Sequence, residues 1–245
     1  MRAKKSKKKF YRKSSNGSIT YTTDGKFLYA ETEGGTVRLD IFEKHYYKLR
    51  LYNNVPVLEI DGLRMQLVKD FRTPLDYSKE VVKGLKIPRR GRHVVLDTCM
   101  GLGYTAIEAS KQPGVEMVVT VESSEAVSTL SKWNPLSESL WDPEGNIIPL
   151  PGDVSKLIKD FESSMFSFVI HDPPRFSHAP ELYSSGFYKE LYRVCRKGAR
   201  IFHYVGSVGK RKGRSIDKEV GKRLSAAGFR KMRHSERLQG IFASK

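Results

Sequence analysis

The chain has 245 residues, with 44 Lys and Arg against 27 Asp and Glu and a formal charge of +17, enough for one large domain or a large and a small one. That excess of positive charge goes beyond what solubility requires and predicts a polyanionic partner, nucleic acid first; a Lys- and Arg-rich surface of thermophilic type is the plainer reading. The two cysteines, Cys99 and Cys195, lie far apart, which excludes a disulfide framework and a zinc site, and no apolar run approaches the roughly 20 residues of a membrane span; a cytoplasmic protein without metal is expected.

Residues 1–13 carry eight Lys or Arg and no acid. They lack the apolar core of a signal peptide, and the block 1–17 reads as a basic disordered arm. Its Phe10 and Tyr11 are suited to stacking on bases, unless the arm is a solvated tail with no fixed role. From 18 to 72 the pattern turns β-like: Ile19–Thr23, Thr36–Phe42, Tyr46–Tyr52 and Val57–Ile60, punctuated by Asp24-Gly25, Gly34-Gly35, Asn53-Asn54 and Asp61-Gly62. This predicts a small antiparallel β domain, whose Tyr21, Tyr46, Lys48 and Arg50 form either a nucleic-acid surface or half-buried strand faces.

The third region, 73–245, begins with helical spacing over Leu75–Leu85, broken by Pro88-Arg-Arg-Gly-Arg. Strands near 93–97, 117–121, 147–151, 166–171 and 199–204 then alternate with helices near 104–111, 124–132, 154–161, 183–194 and 216–226. Gly228–Met232 and Gly240–Ala243 close the pattern. Such alternation predicts a mostly parallel sheet with helices on both faces and ligands at the strands' carboxyl ends.

The polar residues fall at those ends. The first strand runs into Asp97-Thr-Cys99-Met-Gly101-Leu-Gly103 and then a helix, a glycine turn where backbone N–H groups can approach a ligand closely. The second ends in Glu122, an acid able to take two ribose hydroxyls, and the third leads to Gly152-Asp153. The fourth leads to Asp172-Pro173-Pro174-Arg175-Phe176. Two prolines remove two N–H donors and stiffen the backbone, so a carboxylate and carbonyls remain as acceptors without competing donors. That arrangement suits an NH₂ group, whose delocalised lone pair is a poor nucleophile until two acceptors hold it toward tetrahedral geometry.

In this order the residues resemble the class I S-adenosylmethionine-dependent methyltransferases over roughly 75–245. The resemblance implies a Rossmann-like sheet, here behind a small N-terminal antiparallel β domain, and S-adenosyl-L-methionine as cofactor. It assigns the methionine end of the cofactor to Asp97, Cys99, Gly101 and Gly103, the ribose to Glu122 and the adenine to Asp153. Cys99 departs from the family, which usually has its first glycine there. Amino-directed nucleic-acid methyltransferases carry Asp or Asn, Pro, Pro and an aromatic residue at the fourth strand, which implies Asp172, Pro173, Pro174 and Phe176 as the catalytic group, with Arg175 in the aromatic position as a substrate contact. The Asp-Pro-Pro-Arg-Phe-Ser form also resembles archaeal methyltransferases linked to the N4 amine of cytidine in ribosomal RNA. The basic run Lys210-Arg211-Lys212, after the fifth strand, is expected to bind RNA phosphates at the rim.

Two alternatives stand beside this. Leu182–Val194, with Lys197-Gly198 and Phe202-His203-Tyr204, resembles spermidine synthases, which move an aminopropyl group from decarboxylated S-adenosylmethionine to a polyamine; the basic composition argues against a polycationic substrate. A non-catalytic RNA-binding protein on a degenerate cofactor fold is the other, with Cys99 as its best support. His171, His178 and His203 flank the expected site and read as packed or solvent-facing rather than as bases.

Overall fold

The computed structural model describes residues 10–14, 17–206 and 216–245. β1 (Phe10–Ser14), β2 (Gly17–Thr23), β3 (Leu28–Thr32) and β4 (Gly35–Arg38) form one antiparallel sheet in that order. β5 (Asp40–Phe42), β6 (Tyr46–Tyr52), β7 (Val55–Ile60) and β8 (Leu63–Arg64) form a second. Both residues of the β6–β7 turn, Asn53 (φ 47°) and Asn54 (φ 66°), are left-handed, as are Asp61 (φ 49°) and Gly62 (φ 78°) between β7 and β8, the conformation that two-residue hairpins select.

Three expectations for this half need correction. Phe10–Ser14 is a strand rather than part of an arm, pairing Phe10 with Tyr21 and Ser14 with Gly17; Phe10-Tyr11 has β propensity and Asn16-Gly17 is a hairpin signal. β3 was absent from the sequence pattern. The single strand expected over 36–42 is divided at buried Leu39, whose N–H donates to the Leu28 carbonyl and whose carbonyl accepts from Leu49 N–H, both at 2.9 Å. One residue thus joins the two sheets.

α1 (Pro74–Leu85) opens on a capping box: the Thr73 hydroxyl accepts from Asp76 N–H, the Asp76 carboxylate accepts from Thr73 N–H, and Pro74 sits in the first turn. The alternating half follows as β9 (His93–Asp97), α2 (Tyr104–Ser110), β10 (Val115–Glu122), α3 (Glu125–Trp133), β11 (Ile147–Pro151), α4 (Val154–Leu157) and β12 (Phe166–His171). It ends with α5 (Ser185–Val194), β13 (Cys195–Tyr204), α6 (Ile216–Ala227), β14 (Arg230–Ser235) and β15 (Gly240–Ser244). The seven strands lie in the order β11-β10-β9-β12-β13-β15-β14, with β15 antiparallel to both neighbours and the first five parallel. Every residue of β12 is buried, as a central strand covered on both faces requires. The helix expected over 154–161 is a single turn. Among the described residues, no helix is long and apolar enough to cross a membrane.

Three apolar clusters hold these layers. On one face of the large sheet Leu96 and Val169 pack with Phe187, Leu191 and Leu224 of α5 and α6. On the other, Val95 and Phe242 pack with Val81, Leu85 and Ile107 of α1 and α2. The third joins the halves of the chain: Tyr21, Leu49 and Leu58 meet Leu102, Tyr104, Val127 and Leu130. Within it the Tyr104 hydroxyl donates to the Pro56 carbonyl at 2.8 Å and accepts from Asn134 Nδ2 at 3.0 Å, while the Ser137 hydroxyl donates to the Leu102 carbonyl at 2.7 Å.

Candidate active site

At the carboxyl ends of β9, β10 and β12 a pocket opens between the two halves. Its wall combines Cys99, Gly101, Glu122, Asp172, Pro173 and Pro174 from the large sheet with Tyr77 and Ser78 of α1. Leu58, Met65 and Gln66 close it from the β-rich half. The strand order explains the position: neighbouring strands β9 and β12 leave their ends side by side, where sheet and helices cannot fill the crevice.

The glycine turn is built for backbone rather than side chains. Gly101 has φ 54° and would present a Cβ to open space, with only Gln66 Nε2 at 4.0 Å; Gly103 has φ 75°, and a Cβ there would meet Leu140 at 2.6 Å. Cys99 is absent from the residues with positive φ, so its backbone tolerates a side chain, and the thiol lies half-buried in the pocket wall with burial pushing it well above its usual range. Glu122 bridges the turn: one oxygen accepts from Gly101 N–H and the other from Ser124 N–H, both at 2.9 Å. Burial raises its carboxyl despite those donors.

Asp97 lies behind the wall, fully buried. Its Oδ2 accepts from the hydroxyls of Thr105 (3.2 Å) and Thr120 (3.0 Å), whereas Oδ1 has no partner among the described residues. Burial, with the neighbouring Asp172 and Glu122 charges adding to it, pushes the carboxyl up to about 8. Asp172 itself is pushed up to about 7 by burial, opposed by the Tyr77 hydroxyl, which donates to Oδ2 at 3.1 Å. No lysine or arginine lines the pocket among the described residues. Burial raises all three carboxyls, and the Asp172 and Glu122 charges add to the rise at Asp97, so the crevice favours a cationic occupant, whose positive charge would let them ionise.

The loop after β12 distinguishes its two proline carbonyls. The Tyr183 hydroxyl donates to the Pro174 carbonyl at 2.8 Å, and the Pro173 carbonyl has no donor among the described residues. Beneath the loop, His171 accepts from Thr98 Oγ1 (2.7 Å) at Nδ1 and donates from Nε2 to the Leu182 carbonyl (3.0 Å). His203 accepts from the Tyr188 hydroxyl (2.7 Å) and donates to the Tyr204 carbonyl (2.7 Å). Burial holds His171 down at about 4 and His203 well below the usual range, so both are neutral packing groups.

Other expected site residues stand elsewhere. Asp153 caps α4, its Oδ1 accepting from Ser155 N–H at 2.9 Å and the Ser155 hydroxyl at 2.7 Å, and it is not in the pocket wall. Arg175 and Phe176 are exposed beyond the pocket; Phe176 packs edge-on against Tyr183 at 5.5 Å. Lys210, Arg211 and Lys212 lie outside the described residues. Sequence reasoning missed Gln66, whose Oε1 accepts from Leu58 N–H at 2.7 Å, and Tyr77. The capping box before α1 was a readable signal for the helix, but nothing local marked its inward face.

Sheet order, antiparallel β15 and a pocket at the β9 and β12 ends define the α/β fold shared by class I S-adenosylmethionine-dependent methyltransferases and spermidine synthases. Two solved structures carry it: spermidine synthase bound to the transition-state analogue AdoDATO (TM-score 0.63, 16% identity, 96% of this chain and 73% of that one) and an S-adenosylmethionine-dependent methyltransferase from Archaeoglobus fulgidus (0.51, 12%, 73% and 97%). The chain belongs to the family of uncharacterized protein MJ1233 of Methanocaldococcus jannaschii, with 41% identity over 223 residues, 91% of this chain and 75% of that protein. A polyamine aminopropyltransferase of Thermoanaerobacter sp. is 28% identical over 160 residues, 64% of this chain and 56% of that protein. No family model matches the sequence.

Proposed function

We propose that this chain is an S-adenosylmethionine-dependent N-methyltransferase acting on an exocyclic base amine of RNA, in its narrowest form the N4 amine of cytidine in ribosomal RNA. The observation that carries this reading is the acceptor pair at the pocket wall: the Asp172 carboxyl and the undonated Pro173 carbonyl, on a backbone from which two prolines have removed the donors.

The pocket fits the cofactor in charge. An orphaned buried Asp97 oxygen and a wall of acids without bases suit a ligand carrying an ammonium and a sulfonium. Glu122 would exchange its two N–H partners for ribose hydroxyls, and Gly101 leaves backbone room beside it. When bound, S-adenosylmethionine supplies an electrophilic methyl group. Asp172 and the Pro173 carbonyl accept the two amine hydrogens and draw the nitrogen lone pair out of conjugation. As the nitrogen takes the methyl the bond to sulfur breaks and the positive charge passes to the methylated nitrogen, and this acidic cation loses its proton to water or to Asp172. Phe176 and Arg175, exposed at the mouth, are suited to stacking on a flipped base.

A second reading has its own support. The acid-only wall also suits decarboxylated S-adenosylmethionine and a polyamine, and the likeness to spermidine synthase takes in 96% of the chain, β-rich half included. Transfer from labelled donor to ribosomal RNA, transfer RNA, DNA and polyamines side by side separates the two. Label in an N4-methylated cytidine supports the first; activity only with decarboxylated donor and polyamine replaces it with the second. In the active pairing, Asp172→Ala is expected to abolish transfer while donor binding survives, and loss of donor binding would show that Asp172 has another role.

A further inference from the structure

On the side of the sheet away from β11, an open groove runs between α6 and edge strand β14. Lys218 and Lys222, one helical turn apart, line one bank, and Arg230, Lys231 and His234 line the other. Lys218 and Lys222 stand about 6 Å apart along the helix axis, while Arg230 and Lys231 are adjacent on β14 and His234 lies three residues further along it. Gly221 opens the floor between them: a Cβ there would meet Met232 Sδ at 3.7 Å.

Three features set this groove apart from the rest of a basic surface. First, Lys218, Lys222, Arg230 and Lys231 are exposed and without an ion pair among the described residues, as surface cations such as Lys86 and Arg89 also are, but these four converge on one groove from two elements, beside His234, which lies 3.8 Å from Asp217. Second, β14 carries a bulge. Arg230 pairs with Ser244 and Arg233 with Phe242, so three steps on β14 face two on β15, and Lys231 takes a left-handed φ of 51°. A non-glycine residue in that region is strained, and here the extra residue adds a cation to the groove bank. Third, α6 is tied to the candidate site: Arg223 donates to the Tyr183 carbonyl at 2.9 Å, and the Tyr183 hydroxyl holds the Pro174 carbonyl. Lysines on an edge strand also block sheet-to-sheet pairing, but that role gives no reason for a second row across the groove.

The geometry points to this groove as a binding track for the phosphodiester backbone of RNA, outside the pocket and held in fixed relation to it. This rests on the RNA substrate proposed above. Unpaired cations facing one another across a cleft repel, and a polyanion laid between them relieves that repulsion and releases its own counterions. The contacts are to phosphates, so they position the strand without reading its sequence.

The test measures binding of a labelled single-stranded oligouridylate to the full chain over a series of salt concentrations. Wild type is compared with the triple variant Lys222→Glu, Arg230→Glu, Lys231→Glu. A matched triple, Lys86→Glu, Arg89→Glu, Arg90→Glu, changes the same charge at exposed positions before β9, at the opposite end of the strands from the pocket. The groove triple should bind on the order of 10- to 100-fold more weakly, with the slope of log affinity against log salt reduced by about 2, while the matched triple changes far less. Equal losses in both triples would overturn the groove assignment while leaving RNA as substrate; no binding by wild type would reject the RNA reading itself. Should the groove triple fail to fold, Lys222→Gln, which leaves β14 untouched, must lower the slope by about 0.7.

Discussion

Replacing Tyr77 by Phe removes one hydroxyl and leaves the ring, which stacks edge-on against Phe71 (5.5 Å) and Phe202 (6.5 Å), in place. The lost bond is the 3.1 Å donation to Asp172 Oδ2. A hydrogen bond to a charged group contributes about 1.5 to 3 kcal/mol, equivalent to about one to two pH units on the carboxyl it holds. Asp172 already stands at about 7, so the variant should titrate at roughly 8 to 9. At pH 7 the ionised fraction then drops from about a half to between about a tenth and a hundredth, and transfer that needs the carboxylate as acceptor falls by about 5- to 50-fold. The assay is the pH profile of kcat/KM for wild type and variant. The acidic limb should move to higher pH and the two profiles should converge in alkaline solution. A uniform loss at every pH, with the limb unmoved, would refute the claim that Tyr77 acts through the Asp172 proton.

Glu122→Ala should weaken cofactor binding by at least about tenfold, because it removes the candidate ribose acceptor and the tether on Gly101 together; calorimetric titration with unchanged affinity would end its ribose role. Asp153→Ala should lower stability by about 1 kcal/mol through the lost cap of α4, with cofactor affinity preserved; a large loss of affinity would return Asp153 to the adenine. Asp97 is raised to about 8, so folding favours its protonated form. The stability this gives is fully present below the ordinary carboxylate range and is lost as pH rises toward 8. The thermal midpoint of the ligand-free protein should therefore fall between pH 5 and pH 8, and Asp97→Asn should flatten that fall; an equally steep fall in the variant would place the titration elsewhere.

The parallel half was legible because its signals are local. Short apolar runs gave β9, β10 and β12, helical spacing gave α1, α5 and α6, and the polar residues at the strand ends marked where a ligand would sit. Distance hid the rest. Tyr77 reaches Asp172 across 95 positions, and Gln66 approaches Gly101 from the other half of the chain; neither contact has a period or a spacing. Asp153 is ambiguous from sequence because an acid after a strand caps a helix as readily as it binds a ligand, and in the structure it caps α4. The split at Leu39 escaped notice since both halves of Thr36–Phe42 are strand and only their partners differ. In the first residues, charge concealed β1: eight cations in thirteen positions outweighed the hairpin signal at Asn16-Gly17.

The network around Tyr104 has a consequence for how the molecule comes apart. Tyr104 opens α2, directly after the glycine turn, and its hydroxyl is bonded to the backbone of β7. Detached from the β sheets, the remaining fold would expose Leu102, Tyr104, Ala126, Val127 and Leu130 as one apolar face. The two halves are therefore expected to unfold together, and a ligand held by the wall they share to stabilise both at once. In such a molecule the β sheets are structural guarantors of the glycine turn, and damage as remote as the β6–β7 hairpin is expected to reach it.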